Sequence, residues 1–318
     1  MPELGFLLGS TEDPAQIVAT AKAAERAGVD ELWLGEDYFF AGGIAAAGAL
    51  LASTSLPVGI GIVPAVTRHP ALLAMELATL AGIYPGRVYG GIGAGVPEWL
   101  DGMALRPKAL LSSVRNTLRA VRDLHAGKTV TVEHETFAAQ EIALHCPPVE
   151  PPPLYVGASG PKALAMSGAE ADGSVLSVLT DADYVRWASE QIGVGGRPHR
   201  LVGYAFCAVD DDAEAARESL RELVGLYLLT GPRNAITQVQ GIADQAEGLA
   251  ELGLEEGTAR IPHDLIDRLT IAGPAEYCAE RIAELGAAGA DAIVLATAPE
   301  TQVEETIRAV ARAMGRTT

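Results

Sequence analysis

Ala27-Gly28-Val29-Asp30-Glu31-Leu32-Trp33-Leu34 reads as the end of a helix, a turn, an aspartate and the start of an apolar strand. The same order returns at Ala169-Glu170-Ala171-Asp172-Gly173-Ser174-Val175-Leu176 and at Ala288-Gly289-Ala290-Asp291-Ala292-Ile293-Val294-Leu295. One helix-to-strand unit used repeatedly produces such an echo. Working outward from it, strand patterns fall at Leu4–Gly9, Glu31–Gly35, Leu56–Val63, Val88–Gly93, Leu154–Gly157, Ser174–Ser177, Leu201–Val209 and Ala292–Ala296. Helix patterns separate them. Pro14–Ala27 has Asp13 as its expected N-cap, Pro14 at the first helical position and Gly28 as its stop. Pro70–Gly82 opens on a proline, and Glu300–Met314 closes the chain. Alternating helix and strand predicts a parallel sheet. The strands are near-continuous apolar runs, as expected when helices cover them. Eight strands predict an α/β fold, a closed (β/α)8 TIM barrel with Leu4–Gly9 beside Ala292–Ala296.

A bare barrel uses about 250 residues, which leaves roughly 68 of the 318 for insertions. They are expected after strand four, in Val96–Pro153, and after strand seven, in Asp210–Asp291. The first holds a helix pattern at Lys108–Leu124, a β-prone stretch at Thr129–Leu144 and the proline run Pro147–Pro153. The second holds at least three helix patterns. Pro147–Pro153 is short and sits between two barrel units, so a single domain over residues 1–318 is expected. Lys and Arg number 23 against 41 Asp and Glu, a net charge of −18. That sign repels phosphate backbones and anionic lipid, so neither nucleic acid nor membrane is an expected partner. No apolar run reaches the ~18 residues of a membrane span. Met1-Pro2-Glu3 runs straight into a strand pattern, so a cytoplasmic protein is expected. Cys146, Cys207 and Cys278 are odd in number and far apart, which argues against disulfides and thiolate metal sites.

Several chemistries are excluded. There is no P-loop, no His-Glu-x-x-His and no Gly-x-Ser-x-Gly elbow, and the six histidines show no ligand spacing. Gly91-Ile92-Gly93-Ala94-Gly95 lacks the third glycine of a dinucleotide loop at the required spacing and no helix is expected close behind it. Gly157-Ala158-Ser159-Gly160-Pro161-Lys162 joins a strand to a helix. Its small residues and free helix-start amides suit a phosphate; equally, they suit an ordinary turn with a serine cap. Glu36-Asp37-Tyr38-Phe39 lies past the C-terminal end of strand two, on the face that carries barrel active sites. Either the carboxylates and aromatics hold a flat cofactor and manage protons, or Asp37 caps the next helix and the aromatics are core. Glycines interrupt Leu56–Val63, marking a bulge or a ligand's close approach. His69 precedes a proline at a helix start and is read as structural.

These motifs together resemble the bacterial luciferase-like superfamily, in its branch of coenzyme F420-dependent oxidoreductases, methylenetetrahydromethanopterin reductases among them. The resemblance is carried by residues 27–37, by Thr67-Arg68-His69-Pro70-Ala71-Leu72-Leu73-Ala74-Met75-Glu76, by Gly86-Arg87-Val88-Tyr89-Gly90-Gly91-Ile92-Gly93, by Val156–Leu164, by Ala171–Ser177 and by the stretch from Ile271-Ala272-Gly273-Pro274 to Asp291. It implies a deazaflavin in the barrel mouth, with hydride transfer at its ring carbon C5 to or from a small organic substrate. It implies that Gly157, Ala158, Ser159, Gly160 and Pro161 line the phosphate-bearing tail, and that Gly91, Gly93 and Ser177 also touch the cofactor. Asp37 would sit near the ring, and Gly61-Ile62 would form a non-prolyl cis bond behind it. Asp37 and Tyr38 are the implied catalytic pair, with no metal. Two departures from the family pattern stand out. Tyr38 replaces a histidine found in many relatives, and Val63-Pro64-Ala65 replaces an Asn-Pro after strand three. A luciferase-like monooxygenase using FMN is the alternative of the same fold, and a non-catalytic cofactor-binding relative is a third. Relatives are commonly homodimers.

Overall fold

The computed structural model describes residues 1–9, 12–37, 39–193, 196–298 and 302–316. Strands β1 (Glu3–Leu8), β2 (Glu31–Leu34), β3 (Val58–Pro64) and β4 (Val88–Gly93) alternate with helices α1 (Ile17–Ala27), α2 (Gly43–Ser53) and α3 (Pro70–Ile83). After α4 (Pro97–Gly102) and α5 (Leu110–His125), an antiparallel hairpin of β5 (Val130–His134) and β6 (Phe137–Ile142) stands apart from the main sheet. Then come β7 (Leu154–Gly157), α6 (Pro161–Glu170), β8 (Gly173–Leu176), α7 (Ala182–Gly193) and β9 (Arg200–Val209). A helical insertion follows: α8 (Ala213–Leu229), α9 (Ala235–Val239), α10 (Ala243–Ala250), α11 (Leu254–Ala259) and α12 (His263–Leu269). The chain ends with β10 (Ile271–Gly273), α13 (Ala275–Ala287), β11 (Ala292–Thr297) and α14 (Val303–Ala313).

The parallel order β1-β2-β3-β4-β7-β8-β9-β11 closes on itself, because β11 also pairs with β1. The register sets Leu4 beside Ile293 and Phe6 beside Leu295. The eight expected strands are therefore the eight barrel strands, and the insertions follow the fourth and seventh. Two boundaries differ from expectation. Helix α1 starts at Ile17, because Asp13 instead holds a turn: its side chain accepts from the Ala15 N–H at 3.0 Å. A helix does follow the Gly91–Gly95 stretch closely, but α4 is only six residues long. Among the described residues, no helix is long and apolar enough to cross a membrane.

The echo that opens the sequence has a physical cause. Asp30, Asp172 and Asp291 each accept a hydrogen bond from the first amides of a neighbouring strand: Leu4 N–H at 2.7 Å, Leu154 N–H at 2.9 Å and Leu201 N–H at 2.7 Å. A strand's entry amide lies beyond the ladder, and without this carboxylate it would be unpaired. Asp30 and Asp172 also pair with Arg316 and Arg122. Asp291→Ala should cost about 1–3 kcal/mol, the usual penalty for an orphaned amide. Urea unfolding of the variant against Asp291→Asn, which keeps an acceptor, measures it.

Two apolar cores result. The outer one lies between strands and helices and includes Leu32, Ile60, Leu77, Val121 and Ile307. The inner one fills the barrel around Trp33, whose ring meets Tyr155 edge-on at 5.5 Å and Tyr204 at 6.0 Å. A Cβ at Gly59 would overlap the Trp33 ring, so this strand glycine admits an indole and not a ligand. The inner core is plugged at the N-terminal face by Arg200, which pairs with buried Glu31 at 3.0 Å and donates to the Tyr155 hydroxyl at 3.3 Å.

Candidate active site

The mouth is organised around a distortion in β3. The Gly61–Ile62 peptide bond is cis. Between Ile60 and Val63, β3 carries one residue more than β4 opposite it, so the ladder shifts register there. The Ile62 side chain then lies across the neighbouring strands. A Cβ at Gly93 would approach it to 2.6 Å and one at Gly157 to 2.9 Å, while one at Gly91 would strike the Ile60 carbonyl. Five expected site residues, Gly61, Ile62, Gly91, Gly93 and Gly157, are thus brought together. Their glycines form a bed for Ile62, and the exposed part of Ile62 forms a ledge inside the mouth.

Beside that ledge, β7 runs through Ala158 and Ser159 into α6. The Ala158 N–H is used by the sheet, donating to Val175 O at 3.2 Å. Among the described residues, the amides of Ser159, Gly160 and Lys162 make no hydrogen bond. Pro161 occupies the first helical position without wasting a donor, and Gly160 caps the helix with no side-chain bond. A Cβ on Gly160 would meet nothing within 4 Å, and Ser159, Pro161 and Lys162 are exposed, so the helix start opens to solvent. Free N–H groups at the positive end of a helix dipole, facing open space, form an anion site. The loop is braced from below: the Tyr184 hydroxyl donates to Ser159 O at 2.7 Å. The Ser159 and Ser177 side chains are exposed at the rim next to each other's strands, and Lys162 is exposed at the second position of the helix.

Across the mouth, the loop leaving β2 carries two carboxylates with different work. Glu36 is buried. It accepts from the Gly43 N–H at 3.0 Å and forms a two-pronged pair with Arg68, whose second prong measures 2.9 Å. Glu36, not Asp37, therefore caps α2 and clasps the β3–α3 loop. Asp37 is half-buried, with Oδ2 3.6 Å from where a Gly35 Cβ would sit, at the level of the Gly61 carbonyl. Tyr204 points inward from β9, and its hydroxyl donates to Gly61 O at 3.4 Å. Burial, and then the negative charges of Glu31 and Asp37, push its phenol well above the ordinary value, so it remains a donor at all working pH. Phe206, two residues further along β9, meets Tyr227 of α8 edge-on at 5.3 Å. Partial burial and the Asp37 charge raise the Tyr227 phenol too. Tyr38 lies outside the described residues.

His69 is structural, as expected. Its Nδ1 accepts from the Ala71 N–H at 3.2 Å, capping α3, and its Nε2 meets Ala138 O at 2.9 Å. Among the described residues, no group of His, Cys, Asp and Glu could hold a metal ion. Sequence reasoning passed over Tyr204, Phe206 and Tyr227. The signal for the first two was present as aromatics two apart in the run Leu201–Val209, both on one face of a strand.

The comparisons with known proteins agree with this architecture. The chain is 26% identical over 317 residues to the 5,10-methylenetetrahydromethanopterin reductase of Methanolobus tindarius, covering 94% of this chain and 96% of that one. It is 30% identical over 179 residues to the F420-dependent glucose-6-phosphate dehydrogenase of Nakamurella multipartita, 52% of each chain. The structure of the coenzyme F420-dependent tetrahydromethanopterin reductase of Methanopyrus kandleri superposes with a TM-score of 0.86 at 23% identity, over 98% of both chains. A sequence profile described as luciferase-like monooxygenase matches residues 2–292, and with that span of the barrel and its mouth accounted for, the chain belongs to the luciferase-like family.

Proposed function

We propose that this single barrel domain is an F420-dependent oxidoreductase that transfers a hydride between the deazaflavin and a small organic substrate. The observation that carries this is the row of unengaged amides at Ser159, Gly160 and Lys162, facing open space beside the Ile62 ledge. That cradle fits a phosphate, and the ledge fits a flat ring system lying next to it. The named relatives that use F420 support the deazaflavin over a flavin.

When bound, a deazaflavin supplies two-electron chemistry at ring carbon C5. The chain's own residues supply placement and electrostatics. The α6 amides and Lys162 hold the anionic tail. Ile62 would support a ring, and the Tyr204 hydroxyl fixes the neighbouring Gly61 carbonyl. Asp37, half-buried in the mouth, would orient a polar group or carry a proton at its own oxygen. Phe206 and Tyr227 would line the substrate side of the mouth.

An acidic protein that binds an anionic tail needs local positive charge, and Lys162 is the exposed cation at the cradle. F420 affinity, read by quenching of its fluorescence, should weaken as salt rises. Lys162→Ala should weaken binding a few-fold at low salt and flatten the salt dependence. Salt dependence that persists unchanged in the variant would remove Lys162 from the site.

A further inference from the structure

We infer that the substrate half of the mouth, the side formed by β9, β2 and α8, binds an uncharged, apolar molecule and not a phosphorylated or carboxylated one. The inference rests on the proposed cofactor site, since that site fixes which half is left for substrate.

The two halves carry opposite equipment. At the α6 end there are unengaged amides and the exposed Lys162, which forms no ion pair among the described residues. At the other end, Arg68 of the β3–α3 loop and Arg268 of α12 are already neutralised. Arg68 is held by Glu36 and lies 3.4 Å from Glu76, and Arg268 is held at 2.7 Å by Asp181, at the start of α7. The carboxylate on that side is Asp37. An anionic substrate would meet its repulsion with arginines whose charge is spent on fixed partners, and freeing either would strand a buried carboxylate, because Glu36 and Asp181 are both nearly inaccessible.

What that half offers is aromatic surface. Tyr204 and Phe206 face inward from β9 but are themselves buried, so they back this surface and do not form it. Tyr227 leans on Phe206 and is still 46% exposed. Phe39 and Phe40, two and three residues after Asp37, are 76% and 53% exposed, and the Phe40 N–H donates to Asp37 O at 3.2 Å, which ties Phe40 to the rim. Single exposed apolar residues are ordinary. Three large rings left open around one mouth mark a surface for an apolar ligand. Asp37, set among them, can accept a hydrogen bond from an uncharged hydroxyl or amide.

The test is binding to the full chain saturated with F420, by isothermal titration and saturation-transfer NMR. The probes are straight-chain secondary alcohols from butanol to octanol, with glucose 6-phosphate as the anionic competitor. Affinity for the alcohols should rise about fourfold per added methylene, as transfer of a methylene from water predicts, and should be insensitive to salt. Glucose 6-phosphate should show no saturable binding. Tyr227→Lys should weaken octanol at least tenfold and create salt-sensitive binding of glucose 6-phosphate. Wild-type protein that prefers glucose 6-phosphate, or an alcohol series with flat affinity, overturns the assignment. F420 quenching in the same samples scores the cofactor site separately. A protein that takes F420 but prefers the sugar phosphate loses only the substrate class, and one that binds octanol but not F420 loses only the cofactor.

Discussion

Gly160→Asp should abolish cofactor binding, by a factor of at least about a hundred, and leave the protein as stable as before or slightly more so. The two effects have opposite signs because they act on the same amides. Gly160 is the N-cap of α6, with φ −93° and ψ 160°, a conformation open to any residue. A Cβ there meets nothing within 4 Å, so no clash accompanies the change. Aspartate is among the best N-caps and exceeds glycine by a few tenths of a kcal/mol, with a further gain from its charge at the positive end of the helix. That same carboxylate occupies the amides and repels a phosphate from them. Thermal unfolding and F420 quenching on one preparation should therefore move in opposite directions. Gly160→Asn, an uncharged cap, should keep the stability and lose less affinity. Undiminished F420 binding in Gly160→Asp would show that the phosphate goes elsewhere.

Arg200→Met should destabilise the fold by about 3–5 kcal/mol at neutral pH, the usual result of leaving a buried charge without its partner. Arg200 is the counter-charge to Glu31 inside the barrel, at 3.0 Å, and also pairs with Glu3 at the rim. The pH dependence identifies the cause. Burial already raises the Glu31 carboxyl, with Arg200 pulling it partway back. A carboxyl raised in the folded state favours folding below its unfolded value, near 4.5, and that contribution is lost as pH rises through the folded value. Removing Arg200 raises the folded value further and widens this window. The variant should then regain stability on acidification from neutral pH towards 4.5, relative to wild type. Arg200→Met with Glu31→Gln should recover much of the loss at neutral pH, since no buried charge remains. Urea unfolding across that range measures both.

The barrel was legible because its signal is local. Apolar runs of four to nine residues, helix starts at Pro70 and Pro161, and the Asp30, Asp172 and Asp291 echo all lie within a single unit. The cradle was legible for the same reason: Gly157 to Lys162 is one strand-to-helix turn. What escaped was set by residues far apart in sequence. Gly59 reads as a bulge or an approach site for a ligand, but its missing side chain makes room for the distant Trp33. The inward face of β9 was hidden because barrel strands are apolar on both faces, so alternation does not tell inside from outside. Glu36 and Asp37 look equivalent in sequence. Only Arg68, 32 residues away, and the Gly43 amide separate a clasp from a site carboxylate. Strand β10 has three residues and no pattern to read.

Equilibrium titration with F420 and with FMN, at one ionic strength and on the same preparation, tests the central claim most directly. Both cofactors carry a phosphate that the Ser159, Gly160 and Lys162 amides can hold, so the amides alone do not separate them. The longer anionic tail of F420 also draws on Lys162. F420 should bind at least tenfold more tightly than FMN, a difference of about 1.4 kcal/mol. Tighter binding of FMN would contradict the account and assign the protein to flavin chemistry.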